Sequence, residues 1–270
     1  MKSTDTDNYD RIVQILAHDN DGAPRIFTTI TAAVAAAQDN DRIFVGPGVY
    51  EEGAEIVISQ AGLKLIGSNT SGIEWGPCSI KGSANHLISV QNNGVEIANL
   101  GFIQNGAYRG IEIDHTAVVY KTHIHDCHFG GSAIATYGVY AGGTFDAVDT
   151  VIEDNEFLSW ATAAIQLNGT HSKARRNVIF GIDGSIGIEC VPAAADRPHN
   201  LVCDNILMGT GTTDTGIKLT GAPSRGMLMI ARNYLGGWNT TITQTANNAY
   251  NSVNNYKADA AGGSLIDTVA

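Results

Sequence analysis

The chain has 270 residues, 43% of them apolar, 7% aromatic and only 16% charged, with 31 glycines and 6 prolines. That composition excludes a disordered chain, and the lack of a three-residue glycine period and of an apolar run of about 18 residues excludes collagen and a bilayer-spanning helix. The net charge of −11, from 27 acidic and 16 basic residues, argues against nucleic acid or an anionic membrane as partner, since both are held by basic stripes.

Residues 1–24 open with MKSTDTDNYD, polar and acidic, with neither an apolar h-region nor an Arg-rich amphipathic pattern. No secretion signal or transit peptide is expected, and the stretch reads as a polar arm or attachment segment of a protein made in the cytoplasm. FTTITAAVAAAQ (27–38) then places apolar residues at helical spacing behind Thr28 and Thr29 as N-caps, which predicts a short capping helix over 28–38. DRIFVGPGVYEE (41–52) reads as strand, Pro-Gly turn, strand.

The remainder is a repeat. THIHDCHFGG (122–131), TVIEDNEFLS (150–159), SKARRNVIFG (172–181), LVCDNILMG (201–209) and MIARNYLGG (229–237) align without gaps. Their corner residues Cys127, Asn155, Asn177, Asn205 and Asn233, with Asn255 in a weaker copy, are spaced 28, 22, 28, 28 and 22 apart. A second family, GIEI (110–113), GVYA (138–141), AIQL (164–167), GIEC (187–190), GIKL (216–219) and TITQ (241–244), alternates in two-residue steps at similar spacing. Two strand families sharing a period of 22–29 residues, without a leucine framework, describe the coil of a right-handed, single-stranded parallel β-helix. The expected architecture is all-β, with about 7–9 coils over 25–257 and a flexible tail over 258–270. Ile124, Ile152, Val202 and Ile230 should form one inward stack, and Phe129, Phe157, Ile179, Leu207 and Leu235 another. The asparagines should form an amide ladder, and the neighbouring column Asp154, Arg176, Asp204, Arg232 should form cross-coil ion pairs.

TTITAAVAAAQDNDRIFVGPGVYEE (28–52), LKLIGS (63–68) and VEIANLGF (95–102), together with the asparagine repeats, resemble the pectate lyase/pectinesterase-like superfamily of right-handed β-helices over roughly 28–257. The resemblance implies that fold. It leaves open the activity, because the superfamily includes lyases, esterases, hydrolases, phage tailspikes and non-catalytic virion proteins. The polygalacturonase set, the pectinesterase Gly-x-x-Asp-Phe-Ile-Phe-Gly stretch and the Arg-x-Pro-Arg of pectate lyases are not found intact.

Alternation turns His123, His125, Glu153, Lys173 and Arg175 outward on three successive coils. Elimination from a uronic acid polymer needs a base and a cation to neutralise the carboxylate, so Lys173, Arg175 and His125 are the catalytic candidates of a lyase, for which Ca2+ is a conceivable cofactor. His123 and His125 with Glu153 have zinc-like donor spacing, but surface histidines on a polar coil are commoner, and neither metal nor cofactor is expected otherwise. Glu112 and Glu189 fall three coils apart, too far for a glycosidase pair, whereas Glu112 and Asp114 lie two apart on one strand. Tyr140, Gln166 and Lys218 suit sugar stacking and hydrogen bonding, and with His123, Glu153, Glu112 and Asp114 they are the carbohydrate-binding candidates. Cys78, Cys127, Cys190 and Cys203 are expected to be free thiols. These features point to a non-catalytic β-helical structural or surface-display protein of a larger assembly, of the phage decoration, fibre or tailspike kind. Its expected partners are further copies of itself, with a trimer as one arrangement, capsid or tail proteins, and glycans. The alternative is a divergent polysaccharide lyase or glycoside hydrolase.

Overall fold

Strands of two to six residues are too short to bury an apolar face alone, and stacking coil on coil resolves this. The computed structural model describes residues 11–13, 26–68, 78–113, 117–142, 147–191, 199–211, 213–220, 228–244, 250–258 and 264–266. Among these, the strands form three long sheets of 11, 10 and 8 strands in which, with one exception, neighbours are parallel. The first sheet includes His123–His125, Val151–Glu153, Lys173–Arg175 and Leu201–Cys203. The second includes His128–Gly131, Glu156–Leu158, Val178–Phe180 and Ile206–Met208, and the third Ile111–Ile113, Tyr137–Ala141, Ala163–Asn168 and Ile186–Val191. The parallel β-helix read from the repeat is therefore the observed architecture. No helix among the described residues is long and apolar enough to cross a membrane.

The inward stacks are in register. Ile97, Ile124, Ile152, Ala174, Val202 and Ile230 follow one another in the first sheet, all fully buried. In the second sheet Phe102, Phe129 and Phe157 stack with ring centroids 4.6 Å apart and planes within 10°, followed by Ile179, Leu207 and Leu235. In the third sheet Ile111, Val139, Ile165, Ile188 and Ile217 complete the core.

From the coil of Asn99 to that of Arg232, the corner between the first and second sheets is two residues long and its first residue has positive φ: 56° at Asn99, 53° at Asp126, 57° at Asp154, 54° at Arg176, 59° at Asp204 and 55° at Arg232. None is glycine, so each of these coils holds a residue in the left-handed region that asparagine and aspartate tolerate best. The second corner residue carries the ladder. Asn205 Nδ2 donates to the Ala174 carbonyl at 3.0 Å and to Asn233 Oδ1 at 2.8 Å, while Asn205 Oδ1 accepts from the backbone N–H and Nδ2 of Asn177, both at 3.0 Å. The same pattern runs from Asn155 to Asn255. Cys127 heads it, donating only its backbone N–H to Asn155 Oδ1. The ion pairs also form: Arg176 grips Asp154, and Arg232 grips Asp204, each through two guanidinium nitrogens at 2.7–2.8 Å. A second ladder, which the repeat did not reveal, links Ser172 to Asn200 Oδ1 at 2.8 Å and Asn200 to the Gly169 carbonyl at 3.0 Å where the third sheet returns to the first.

The helix spans Ile30–Ala35, shorter than the predicted 28–38, with Thr29 as N-cap accepting from the Ala32 N–H. Glu52 supplies a second cap, taking the Ile30 N–H at 2.7 Å. Ile30, Ala33 and Val34 are buried against the start of the solenoid. Beside it, Arg11–Val13, from the stretch read as an arm, pairs with Arg42–Val45 and Ile26–Phe27 and so extends the first sheet. At the other end, Ser264–Ile266, from the stretch read as a tail, pairs with Asn255–Lys257 as the single antiparallel strand of the second sheet among the described residues.

Candidate functional site

On the outer face of the first sheet, register aligns His123 with Val151, Lys173 and Leu201, and His125 with Glu153, Arg175 and Cys203, as the alternation required. Glu153 is the hub. His123 Nε2 lies 2.9 Å from it, Arg176 lies 2.7 Å away, and the Arg175 guanidinium is hydrogen-bonded to it. Burial acts to raise the Glu153 carboxyl, but the hydrogen bonds from Arg175 and His123 and the charges of Arg175 and Arg176 outweigh it and hold the group at about 2. His125 sits 2.7 Å from Asp126 and 3.4 Å from Glu96, which also binds Lys64. Each imidazole thus faces a carboxylate, Arg175 is engaged by Glu153, and Lys173 is exposed beside Val151 and Leu201. His128 lies beyond the corner, 3.0 Å from Glu156.

Glu153 carries a pH prediction. Its folded value lies below its ordinary 4.5, so the stabilisation is fully present above that pH and is lost as pH falls through about 2. Glu153→Gln is expected to flatten the fall of unfolding free energy between about pH 4.5 and pH 2, measured by urea titration at stepped pH. An unchanged slope would remove Glu153 from the acid response.

On the third sheet, the outward column runs Ser89, Glu112, Tyr140, Gln166, Glu189, Lys218 in register. This confirms that Glu112 and Glu189 are three strands apart; Asp114 lies outside the described residues. Sequence reasoning missed the groups packed around the column. Arg109 binds Glu112 and lies 3.5 Å above the centre of the Tyr140 ring. Tyr137 packs edge-on to Tyr140 at 4.9 Å. Burial, then the charge of Glu189 and the neighbouring Tyr140, push its hydroxyl up to about 12 against the pull of Arg109. Glu189 accepts from Thr220 at 2.9 Å, with Lys218 at 3.5 Å. Gln166, between Tyr140 and Glu189, is only 5% exposed, yet its amide makes no side-chain hydrogen bond among the described residues.

Glu55, His86 and Glu112 bring three metal-type donors within 4.8 Å of one another. The imidazole is set the wrong way for a metal. His86 Nδ1 accepts the Arg109 backbone N–H at 3.1 Å, so the ring proton sits on Nε2, which faces Glu112 at 3.1 Å. A ligating histidine needs that lone pair free and donates from its other nitrogen. The cluster is therefore an ion-paired network. It borders an open polar cleft of about 430 Å³ lined by residues including Glu52, Lys81, Ser83, Asn85 and His86.

All four cysteines are buried free thiols, as expected. Burial pushes Cys78, Cys127 and Cys190 up to about 12, which makes them packing groups and not nucleophiles.

No protein-family model matches the sequence, and no curated protein matches it. Solved structures match across nearly the whole chain. A pectin methylesterase in complex with a hexasaccharide is 11% identical, with 97% of this chain and 92% of that one covered and a TM-score of 0.56. The pectin methylesterase of Aspergillus niger is 16% identical, with 94% and 87% covered and a TM-score of 0.50. At such identities likeness speaks for fold and not for activity. The chain shares the right-handed parallel β-helix fold of the pectin methylesterases.

Proposed function

We propose that this is a β-helical carbohydrate-binding protein that takes a glycan along the outer face of its third sheet and is displayed on a larger assembly of the virion type. Gln166 carries the reading. Its amide makes no side-chain hydrogen bond among the described residues yet is not sealed from solvent, and a sugar hydroxyl is a partner of the right chemistry. The tyrosines beside it supply apolar ring surface, and Glu189 and Lys218 supply further polar groups along the same column. A protein of the same fold holds a hexasaccharide. Arg175 and His125, the groups a lyase would use, are held against carboxylates, which favours binding over catalysis; the reading requires no metal. The display role is supported by the last strands of the first and third sheets, Tyr250–Val253 and Thr240–Gln244, which have a neighbour on one side only among the described residues and so offer strand edges to another chain.

The test is calorimetric titration with neutral and uronic acid oligosaccharides. Gln166→Ala is expected to weaken binding at least tenfold, about 1.4 kcal/mol, while Lys173→Ala leaves it unchanged. Failure of every oligosaccharide to bind, or equal binding by Gln166→Ala, overturns the proposal, and release of unsaturated uronide product would establish the lyase instead.

A further inference from the structure

The outer face of the second sheet differs from the other two. In register on its surface run Val178, Ile206, Tyr234 and Tyr256, and beside them Leu158, Phe180 and Met208. Ile206 is 45% exposed, Phe180 39%, and Tyr234 and Tyr256 38% each. The two tyrosine rings stack at 5.4 Å. The apolar run is contiguous only over these coils, because one strand earlier the first column becomes the Glu156–His128 ion pair and the second becomes Gly130. A contiguous apolar face rimmed by charge marks an interaction site.

The rim identifies the occupant. Along the adjoining corner the exposed charges run Asp154, Arg176, Asp204, Arg232, alternating in sign at the coil spacing of ~4.8 Å. A two-fold axis parallel to the strands keeps the strand direction but reverses the solenoid. It therefore sets Asp154 of one copy opposite Arg232 of the other, and Arg176 opposite Asp204. A side-by-side arrangement with the solenoids parallel and the corners aligned would set like charges together. We propose that two copies of this chain associate through the second-sheet face in this antiparallel, two-fold manner. The apolar patch measures about four strands by three residues, roughly 20 by 10 Å. That is well below the ~800 Å² per partner of a standard interface, so the dimer is weak and concentration-dependent. The inference is independent of glycan binding on the third sheet.

Sedimentation equilibrium of the full chain over a concentration series tests it. The average mass is expected to rise from 28.4 kDa towards twice that value, and Ile206→Lys is expected to remain monomeric at every concentration. Asp154→Arg alone and Arg232→Asp alone should each associate at least tenfold more weakly than the unmodified chain. An equimolar mixture of the two should recover association, because each mixed pair restores both opposite-charge contacts; circular dichroism verifies that each variant is folded. A monomer at all concentrations, a trimeric mass, dimerisation of Ile206→Lys, or a mixture no tighter than its components overturns the proposal.

Discussion

Asn205→Ala is expected to destabilise the protein by about 3–5 kcal/mol, among the largest effects of any single substitution. The side chain serves four bonds at once. Its loss strands the Asn177 backbone N–H, takes one partner each from the Ala174 carbonyl and the Asn177 amide, and leaves Asn233 Oδ1 underused, all in buried surroundings. Each stranded group adds roughly 1–3 kcal/mol, and bonds in a chain polarise one another, so the loss exceeds that of an isolated pair. Asn205→Leu tests the origin of the effect. Leu100 occupies the equivalent corner two coils before the ladder starts, so an apolar side chain of this size fits the fold. Leucine at 205 should nonetheless remain destabilising, because its neighbours on both sides are amides. Asn155→Ala should be milder, since above it stands only the Cys127 backbone N–H. Urea unfolding midpoints check the order. Equal losses at 155 and 205 would show that the asparagines act singly and not as a ladder.

Phe157→Ala is expected to be about 3–5 kcal/mol less stable by the same measurement. The ring lies between Phe129, nearly parallel to it at 4.6 Å, and Ile179, and it is fully buried. It also presses on the third sheet, where a Cβ added at Gly138 would come within 2.6 Å of the ring and 2.6 Å of the Ala164 carbonyl oxygen. Gly138→Ala should therefore be destabilising on its own. It should be less so beside Phe157→Ala, where one of the two clashes is relieved, and a double-mutant cycle should return a favourable coupling. Phe180→Ala, one position further on in the neighbouring coil's strand and turned outward, should change monomer stability by no more than about 0.5 kcal/mol. A comparable loss at 157 and 180 would contradict the inward–outward alternation.

The fold was legible because a solenoid repeats its own constraints. Six copies of a corner residue and two strand families at a shared period specify stacking, inward columns and ladder without any long-range guess. The ion-paired corner was read correctly as charge but not as backbone; its positive φ has no sequence mark beyond an excess of aspartate and asparagine, which arginine interrupts. Arg11–Val13 and Ser264–Ile266 escaped because strands outside the repeat carry no periodic partner. The candidate site was half legible. Period-two alternation identified Glu112, Tyr140, Gln166 and Lys218 as one face. Arg109, His86 and Tyr137 were missed because they enter that face from corners and strand starts, where spacing varies from coil to coil. On the first sheet the outward columns were right, but only side-chain geometry revealed that Glu153 gathers the cations around it.

The two-residue left-handed corner has a consequence for how the chain tolerates change in length. Between the first and second sheets, the coils from Asn99 to Asn233 are each held to the same two residues. The chain from a third-sheet strand to the next first-sheet strand varies instead, from the four residues 169–172 to the nine residues 192–200. One residue added at the left-handed corner would displace an asparagine from its neighbours above and below. An added segment at the other corner enters a position whose length already differs between coils and leaves the amide ladder untouched. The solenoid thus divides each turn into a ratchet that counts coils and a hem that can be let out. The hem borders the third-sheet face, where new sequence would lie beside the column from Glu112 to Lys218.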